Sequence, residues 1–195
     1  MIYQSSRPPL SSKKSGCLTI LGLGNPGSDY ENTYHSVGNA LINLLAKKIE
    51  TAPFKMSPAK KIEYSKKPGL ILIKSRVFMN ESGEILDEIR KISKLEPRCL
   101  IVAHDDSDIE IGKFKLAFGR SSAGHHGVES IIRRLKTKAF WRLRIGIRPK
   151  TEKSSFAPRK KASQLVLRKI GSEGEKLLQL AFTGAIEKII EKVKP

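Results

Sequence analysis

Apolar residues recur along the chain in two spacings, and the first is typical of strands. The run CLTILGL at 17–23 is almost continuously apolar and ends in glycine, which predicts a buried strand that leads into a loop. Five later segments also have strand patterns, at 62–65, 70–74, 99–105, 113–118 and 141–149. The last of these ends at Pro149, which has no N–H to donate to a sheet ladder.

The second spacing is that of helices. A helix over 37–49 would carry its apolar residues on one face, namely Val37, Leu41, Leu44, Leu45 and Ile49. Further helices are predicted within 80–92, 127–135 and 173–193. Because strands alternate with helices, we expect a single α/β domain with a mixed, mostly parallel twisted sheet and helices on both of its faces.

Two basic segments lack the apolar spacing of strands or helices. Residues 1–16 are rich in Ser, Pro and basic residues without apolar periodicity, so we expect a disordered basic tail, followed by one domain over 17–195. An organelle transit peptide is the weaker alternative for the tail. The basic, Pro-containing stretch 150–161 is predicted to be a loop, as a lid or an RNA-facing segment.

Charge narrows the class of partner. The formal net charge is +18, and residues 133–161 hold twelve Lys or Arg residues against one acid, Glu152. Such clustering favours a nucleic-acid partner, with an anionic membrane surface as the weaker alternative. No apolar run approaches the roughly 18 residues that span a bilayer, and the two cysteines fit a reducing compartment. We therefore expect a soluble cytoplasmic protein.

Several familiar chemistries lack their motifs in this chain. The GLGNPG loop at 22–27 matches a dinucleotide fingerprint formally, but Pro26 and a polar run stand where the helix should begin. AHDDSD at 103–108 could hold a metal, yet neither HExxH nor CxxC occurs. A GxSxG nucleophile elbow is also missing. General-base chemistry by a histidine, oriented by a carboxylate, remains.

Five segments together resemble, in order, the signature blocks of the bacterial-type peptidyl-tRNA hydrolase family. They are LGLGNPGSDYENTYHSVGNALINLLA, KSRVFMNESGEIL, LIVAHDDSDIEIGKFKL, SAGHHGVESII and FWRLRIGIRP. The resemblance spans about 18–195 and implies hydrolysis of the ester between a peptide and the 3′-terminal ribose of tRNA. It further implies a monomer that binds peptidyl-tRNA and uses neither metal nor cofactor.

The same resemblance implies roles for individual residues. His35 would be the general base and Asp105 the carboxylate that orients it. Substrate binding would involve Asn25, Asn80, His126, Tyr30 and Phe78, and a tRNA phosphate, expected to be the 5′ phosphate, would be clamped by Lys113, Lys115 and Arg144. Side-chain amides both donate and accept hydrogen bonds, which suits Asn25 and Asn80 to a peptide main chain and a developing oxyanion.

The chain departs from the family pattern near its histidines. It reads GHHG where the family usually reads GHNG, so His126 replaces an Asn, and a protonated His126 could no longer accept a hydrogen bond. Tyr34 and Ser36, on either side of His35, replace the usual Arg and Asn. A noncatalytic RNA-binding paralogue of the same fold, similar to a splicing factor, is therefore the alternative function.

Overall fold

The fold is built on one seven-stranded sheet in a computed structural model that describes residues 18–150 and 165–193. The strands are β1 (Leu18–Gly22), β2 (Lys55–Met56), β3 (Ile62–Lys67), β4 (Leu70–Ser75), β5 (Leu100–Glu110), β6 (Phe114–Phe118) and β7 (Trp141–Arg148). Their spatial order is β2-β3-β4-β1-β5-β7-β6. The four central strands, β4, β1, β5 and β7, run parallel, while β2, β3 and β6 pair antiparallel at the two edges.

Four helices that lie wholly within the described residues accompany the sheet: α1 (Val37–Lys48), α2 (Ile85–Ile92), α3 (His126–Leu135) and α4 (Ser172–Val193). Helices α1 and α4 contribute to the apolar cluster on one face of the sheet, and α2 and α3 contribute to the cluster on the other. The mixed α/β sheet with helices on both faces is confirmed. Across the described residues, no helix combines the length and apolarity that crossing a membrane requires.

Some element boundaries differ from the sequence prediction. Strand β2 has only two residues, both exposed, so its apolar pattern is too short to detect. The helix predicted within 80–92 is split into a 3-10 turn at Met79–Glu81 and helix α2. Strand β5 continues to Glu110 because its acidic second half stays paired with β7. The predicted tail 1–16 and almost all of the predicted loop 150–161 lie outside the described residues.

Close packing between α1 and the sheet fixes the position of the loop that carries His35. A Cβ at Gly38 would collide with the carbonyl oxygen of Ala103 and would lie 2.6 Å from the backbone nitrogen of Leu23. Gly22 meets the same contact from the strand side, because a Cβ there would collide with the backbone of Gly38. Two residues without side chains therefore let the helix begin directly against β1 and β5.

Replacement of Gly38 tests this packing. We expect Gly38→Ala to lower the free energy of unfolding by about 3 kcal/mol, because the nearest atoms to the added methyl group belong to the backbone of Ala103 and Leu23, which cannot move away as a flexible side chain would. Gly171→Ala is the control, since a Cβ there meets nothing within 4 Å and should change stability by less than about 0.5 kcal/mol. Urea denaturation of both variants measures the difference, and equal stabilities would contradict the packing argument.

Candidate active site

His35 and Asp105, which are seventy residues apart in the chain, meet at the carboxyl ends of the parallel strands. His35 lies in the 3-10 turn Tyr34–Ser36 that precedes α1, and Asp105 lies within β5. The Nδ1 atom of His35 is 2.7 Å from Oδ1 of Asp105. Because an ionised carboxylate only accepts hydrogen bonds, Nδ1 carries the proton and the lone pair of His35 is on Nε2.

A second imidazole donates to the same carboxylate oxygen. The Nε2 atom of His125 is 3.1 Å from Asp105 Oδ1. His125 is also the N-cap of α3, where its Nδ1 accepts the backbone N–H of Val128 at 3.3 Å. Since Nδ1 uses its lone pair at the cap, the proton of a neutral His125 is on Nε2, which faces Asp105.

Asp105 is buried but remains ionised. Burial by itself would raise the pKa of this carboxyl group, yet His125 and His35 together hold the pKa well below its usual range. Only 3% of the residue is exposed, so the two imidazoles replace the water that would otherwise solvate the charge. The site thus places a fixed negative charge beside the imidazole of His35.

His104 closes the site from beneath. Its Nδ1 donates to the backbone carbonyl of Asp105 at 2.7 Å, and its ring packs edge-on against His125 with centroids 4.5 Å apart. Burial lowers the pKa of His104 well below its usual value, and charge on His125 would lower it further. His104 is therefore a neutral structural support for the pair above it.

The same three residues are close enough together to suggest a metal site. One ligand atom from each of His35, Asp105 and His125 lies within 4.8 Å of the others. As hydrogen-bonded here, however, the two ring nitrogens that face Asp105 both carry protons and offer no lone pair to a cation. The arrangement is that of a carboxylate accepting two donors.

A cavity of about 440 Å³ opens above these residues. Asn25, Phe78, Asn80 and His126 line it together with His35 and Asp105. The Oδ1 atom of Asn25 accepts the backbone N–H of Met79 at 2.9 Å, which ties the loop after β1 to the loop after β4. Tyr30 does not line the cavity but lies edge-on to Phe78, with ring centroids 6.3 Å apart.

A comparison of sequences now decides the family. A sequence model of peptidyl-tRNA hydrolase matches residues 19–194. The chain belongs to the peptidyl-tRNA hydrolase family. It is 41% identical over 128 residues to the peptidyl-tRNA hydrolase of Akkermansia muciniphila, covering 66% of this chain and 67% of that one. It is 37% identical over 174 residues to that of Caldanaerobacter subterraneus subsp. tengcongensis, covering 88% and 90%.

Solved structures agree with this membership. The crystal structure of peptidyl-tRNA hydrolase from Acinetobacter baumannii superposes with a TM-score of 0.78 at 30% sequence identity. The match covers 91% of this chain and 88% of that one. The fold that carries this site is therefore one that the family shares.

In this peptidyl-tRNA hydrolase family member, a chain segment distant in sequence supports the loop that carries His35. The backbone N–H of Tyr34 donates to the carbonyl of Arg168 at 3.2 Å, and that of Ile170 donates to Asn32 at 2.9 Å. The Lys169 ammonium group also donates to the carbonyl of Asp29 at 2.6 Å. Residues 165–170 therefore hold the loop against the sheet, and Val166 and Leu167 reach the cavity wall.

A separate basic cavity lies beside the site and is lined by residues of β6, of β7 and of the segment that follows β6. Its cationic side chains are those of Lys115, Arg120, Arg142 and Arg144. Lys115 and Arg144 are direct partners across the two strands, and Arg144 Nε donates to Asp106 at 2.6 Å. Lys113 lines a neighbouring cavity instead and pairs with Glu110 at 3.1 Å.

Arg142 is the unusual member of this basic cavity. Only 2% of it is exposed, and its Nε and Nη1 atoms have no hydrogen-bond partner among the described residues. Burial lowers the pKa of Arg142, and the neighbouring Arg144 lowers it further. Burial of guanidinium nitrogens without an acceptor is costly. This cost sets Arg142 apart from the more exposed Lys115, Arg120 and Arg144 of the same cavity.

Sequence reasoning missed two residues that the structure brings into these sites, His125 and Arg142. Nothing in the sequence around His125 points to the distant carboxylate that its side chain contacts. The available signal was its place before the helix starting at 126, where a side-chain acceptor is expected. Arg142 alternates with buried residues along β7, so its pattern resembles that of any half-exposed strand.

The neutral state of His104 predicts a pH-dependent stability. Below about pH 6.5 an unfolded histidine binds a proton, whereas folded His104 does not, so the free energy of unfolding should fall by up to about 1.4 kcal/mol per pH unit. We expect His104→Asn, whose amide can still donate to the Asp105 carbonyl, to lose this contribution. Urea denaturation from pH 7.5 to 5.5 compares the two slopes, and parallel slopes would contradict a neutral His104.

Proposed function

We propose that this chain hydrolyses the ester that joins a peptide to the 3′-terminal ribose of tRNA, which releases the tRNA for reuse. The observation that carries the proposal is the hydrogen bond of 2.7 Å between His35 and Asp105 at the floor of an open cavity. Membership of the peptidyl-tRNA hydrolase family supplies the substrate class.

His35 activates the attacking water. Its Nε2 takes a proton as the water oxygen attacks the ester carbonyl, and Asp105 stabilises the imidazolium that forms. The tetrahedral intermediate then collapses: the bond to the ribose oxygen breaks, and the imidazolium returns the proton to that oxygen. The products are a peptide with a free carboxyl group and tRNA with a free 3′-terminal ribose hydroxyl, while His35 is neutral again.

The two asparagines of the cavity suit the peptide end of the substrate. Asn25 uses its carbonyl oxygen to hold Met79, so its amide NH₂ remains available to a substrate oxygen. Asn80, in the 3-10 turn after β4, is exposed at the wall of the same cavity. Phe78, with 48% of its surface exposed beside them, offers an apolar face to a peptide side chain.

The basic cavity suits a phosphate of the tRNA. Lys115 and Arg144 would provide its rim, and Arg142 would provide a buried donor beneath them. Contacts of this kind bind the backbone and not the bases, so one enzyme could serve many tRNAs. The 5′ phosphate at the acceptor end is the phosphate that we assign to this cavity. Lys113, in the neighbouring cavity, would meet a different phosphate.

A noncatalytic RNA-binding role is disfavoured. Such a paralogue would be free to lose the residues that position water and base, since they contribute nothing to RNA affinity. Here Asn25, His35, Asn80 and Asp105 all line a single cavity. The hydrogen bonds that fix the tautomer of His35 are likewise present.

Removal of the base tests the reaction. We expect His35→Ala to release N-acetyl-amino acid from N-acetyl-aminoacyl-tRNA at least about 100-fold more slowly, because the variant lacks the Nε2 atom that takes the proton of water in the proposed mechanism. Binding of tRNA should persist, since the basic cavity is elsewhere, and this serves as the control for folding. Wild-type rates should not change with chelator. Full activity of the variant would contradict the role of His35.

Removal of a cation tests the phosphate site. We expect Arg144→Ala and Lys115→Ala each to weaken tRNA binding and to make the slope of log affinity against log salt concentration less negative by about one. Lys48→Ala, at the far end of α1, is the matched control and should leave the slope unchanged. The same binding measurements are made with tRNA that lacks its 5′ phosphate. If the substitutions weaken its binding as strongly as they weaken binding of the complete tRNA, then the cavity holds a different phosphate.

A further inference from the structure

The proposed mechanism gives no role to the second hydrogen bond that Asp105 accepts, which comes from His125. We propose that His125 tempers the basicity of His35 by drawing charge from the carboxylate oxygen that both imidazoles share, so that His35 stays available as a base at neutral pH. This inference rests on the proposed function, in which His35 must be neutral before water is activated. It makes His125 a positioning residue that acts through Asp105.

The geometry puts both donors on one atom. Asp105 Oδ1 lies 2.7 Å from His35 Nδ1 and 3.1 Å from His125 Nε2, and the two rings are 5.3 Å apart between centroids. A hydrogen bond to a carboxylate oxygen reduces the negative potential that a second donor experiences there. Because Asp105 is buried, water screens this competition little. Stabilisation of a charged His35 is therefore weaker than a lone Asp105 would provide.

The cap bond keeps His125 in its donating state. A proton on His125 Nδ1 would point at the backbone N–H of Val128, which now donates to that nitrogen at 3.3 Å. His104, packed edge-on beneath His125, limits rotation of the ring. The Nε2 proton thus stays directed at Asp105 while His35 gains and loses its own proton.

Other ionisable groups around the pair do not take the place of His125. Among the described residues, the side chains recorded as donors to the Asp105 carboxylate are His35 and His125. Arg144 is paired with Asp106, and burial keeps His104 neutral. The remaining charged or titratable groups near the site are His126 on α3, Arg142 on β7, Asp108 on β5, and Arg168 and Glu173 next to Tyr34.

Two variants remove the shared donor in different ways. His125→Phe keeps a ring against His104, whereas His125→Ser keeps a cap for Val128 but is too short to reach Asp105. In both, Asp105, whose carboxylate His35 still keeps ionised, would act on His35 alone and would favour its charged form. We expect kcat/KM for N-acetyl-aminoacyl-tRNA to fall about tenfold near pH 6.5 and to stay within about twofold of wild type near pH 8.5. His125→Gln, which restores an N–H donor, should recover the wild-type profile.

The alternatives give different results. A loss that is equal at all pH values in every variant would mean that His125 only supports the fold, and a rise in KM with unchanged kcat would mean that it contacts substrate. Either result, or an unchanged profile, overturns the proposal. If wild type itself releases no product, the proposed function fails. The inference is then judged by NMR titration of the His35 ring, which should keep its proton to higher pH in His125→Phe than in wild type, whereas equal midpoints would overturn it.

Discussion

The buried charge of Asp105 is the constraint on which the rest of the site depends. An ionised carboxylate with only 3% exposure is stable only if nearby donors replace its lost hydration. Two imidazoles do so, and each is locked in turn: His35 by the turn before α1, and His125 by the N-cap of α3. Because Nδ1 of His35 must donate to the Asp105 carboxylate, Nε2 is the nitrogen that can accept a proton. The geometry that the proposed mechanism requires and the burial of the Asp105 charge thus depend on one set of hydrogen bonds.

The parallel sheet brings together the loops that carry the residues of the site. Parallel strands β1, β4 and β5 end at the same edge, so the loops that follow them meet although they are far apart in sequence. Gly22 and Gly38 let α1 begin against that edge, and the bond from Met79 to Asn25 joins two of the loops. The basic cavity lies on the neighbouring pair of strands, β6 and β7, next to the same edge. The two cavities adjoin at Ala123, so the proposed sites for the peptide end and for a phosphate are neighbours.

Much of this was predictable from the sequence, for reasons that particular residues make clear. Apolar periodicity identified β1, β5, β7 and α1, because burial on one or both faces leaves a strong pattern. Family blocks pointed to His35 and Asp105, and no local pattern could have paired residues seventy positions apart. His125 escaped notice because its role depends on a distant carboxylate and on the helix that it caps. Arg142 could not be predicted, because the lack of hydrogen-bond partners for its buried nitrogens is visible only in the folded structure.

The central claim is that Asp105 fixes the tautomers of both imidazoles, and NMR of the protein labelled with ¹⁵N in its histidines tests it most directly. Long-range correlations between ring carbon-bound protons and ring nitrogens report which nitrogen of each neutral histidine carries the proton. The hydrogen bonds predict a proton on Nδ1 of His35 and on Nε2 of His125. A His35 ring protonated on Nε2, with its lone pair turned towards Asp105, would contradict the account.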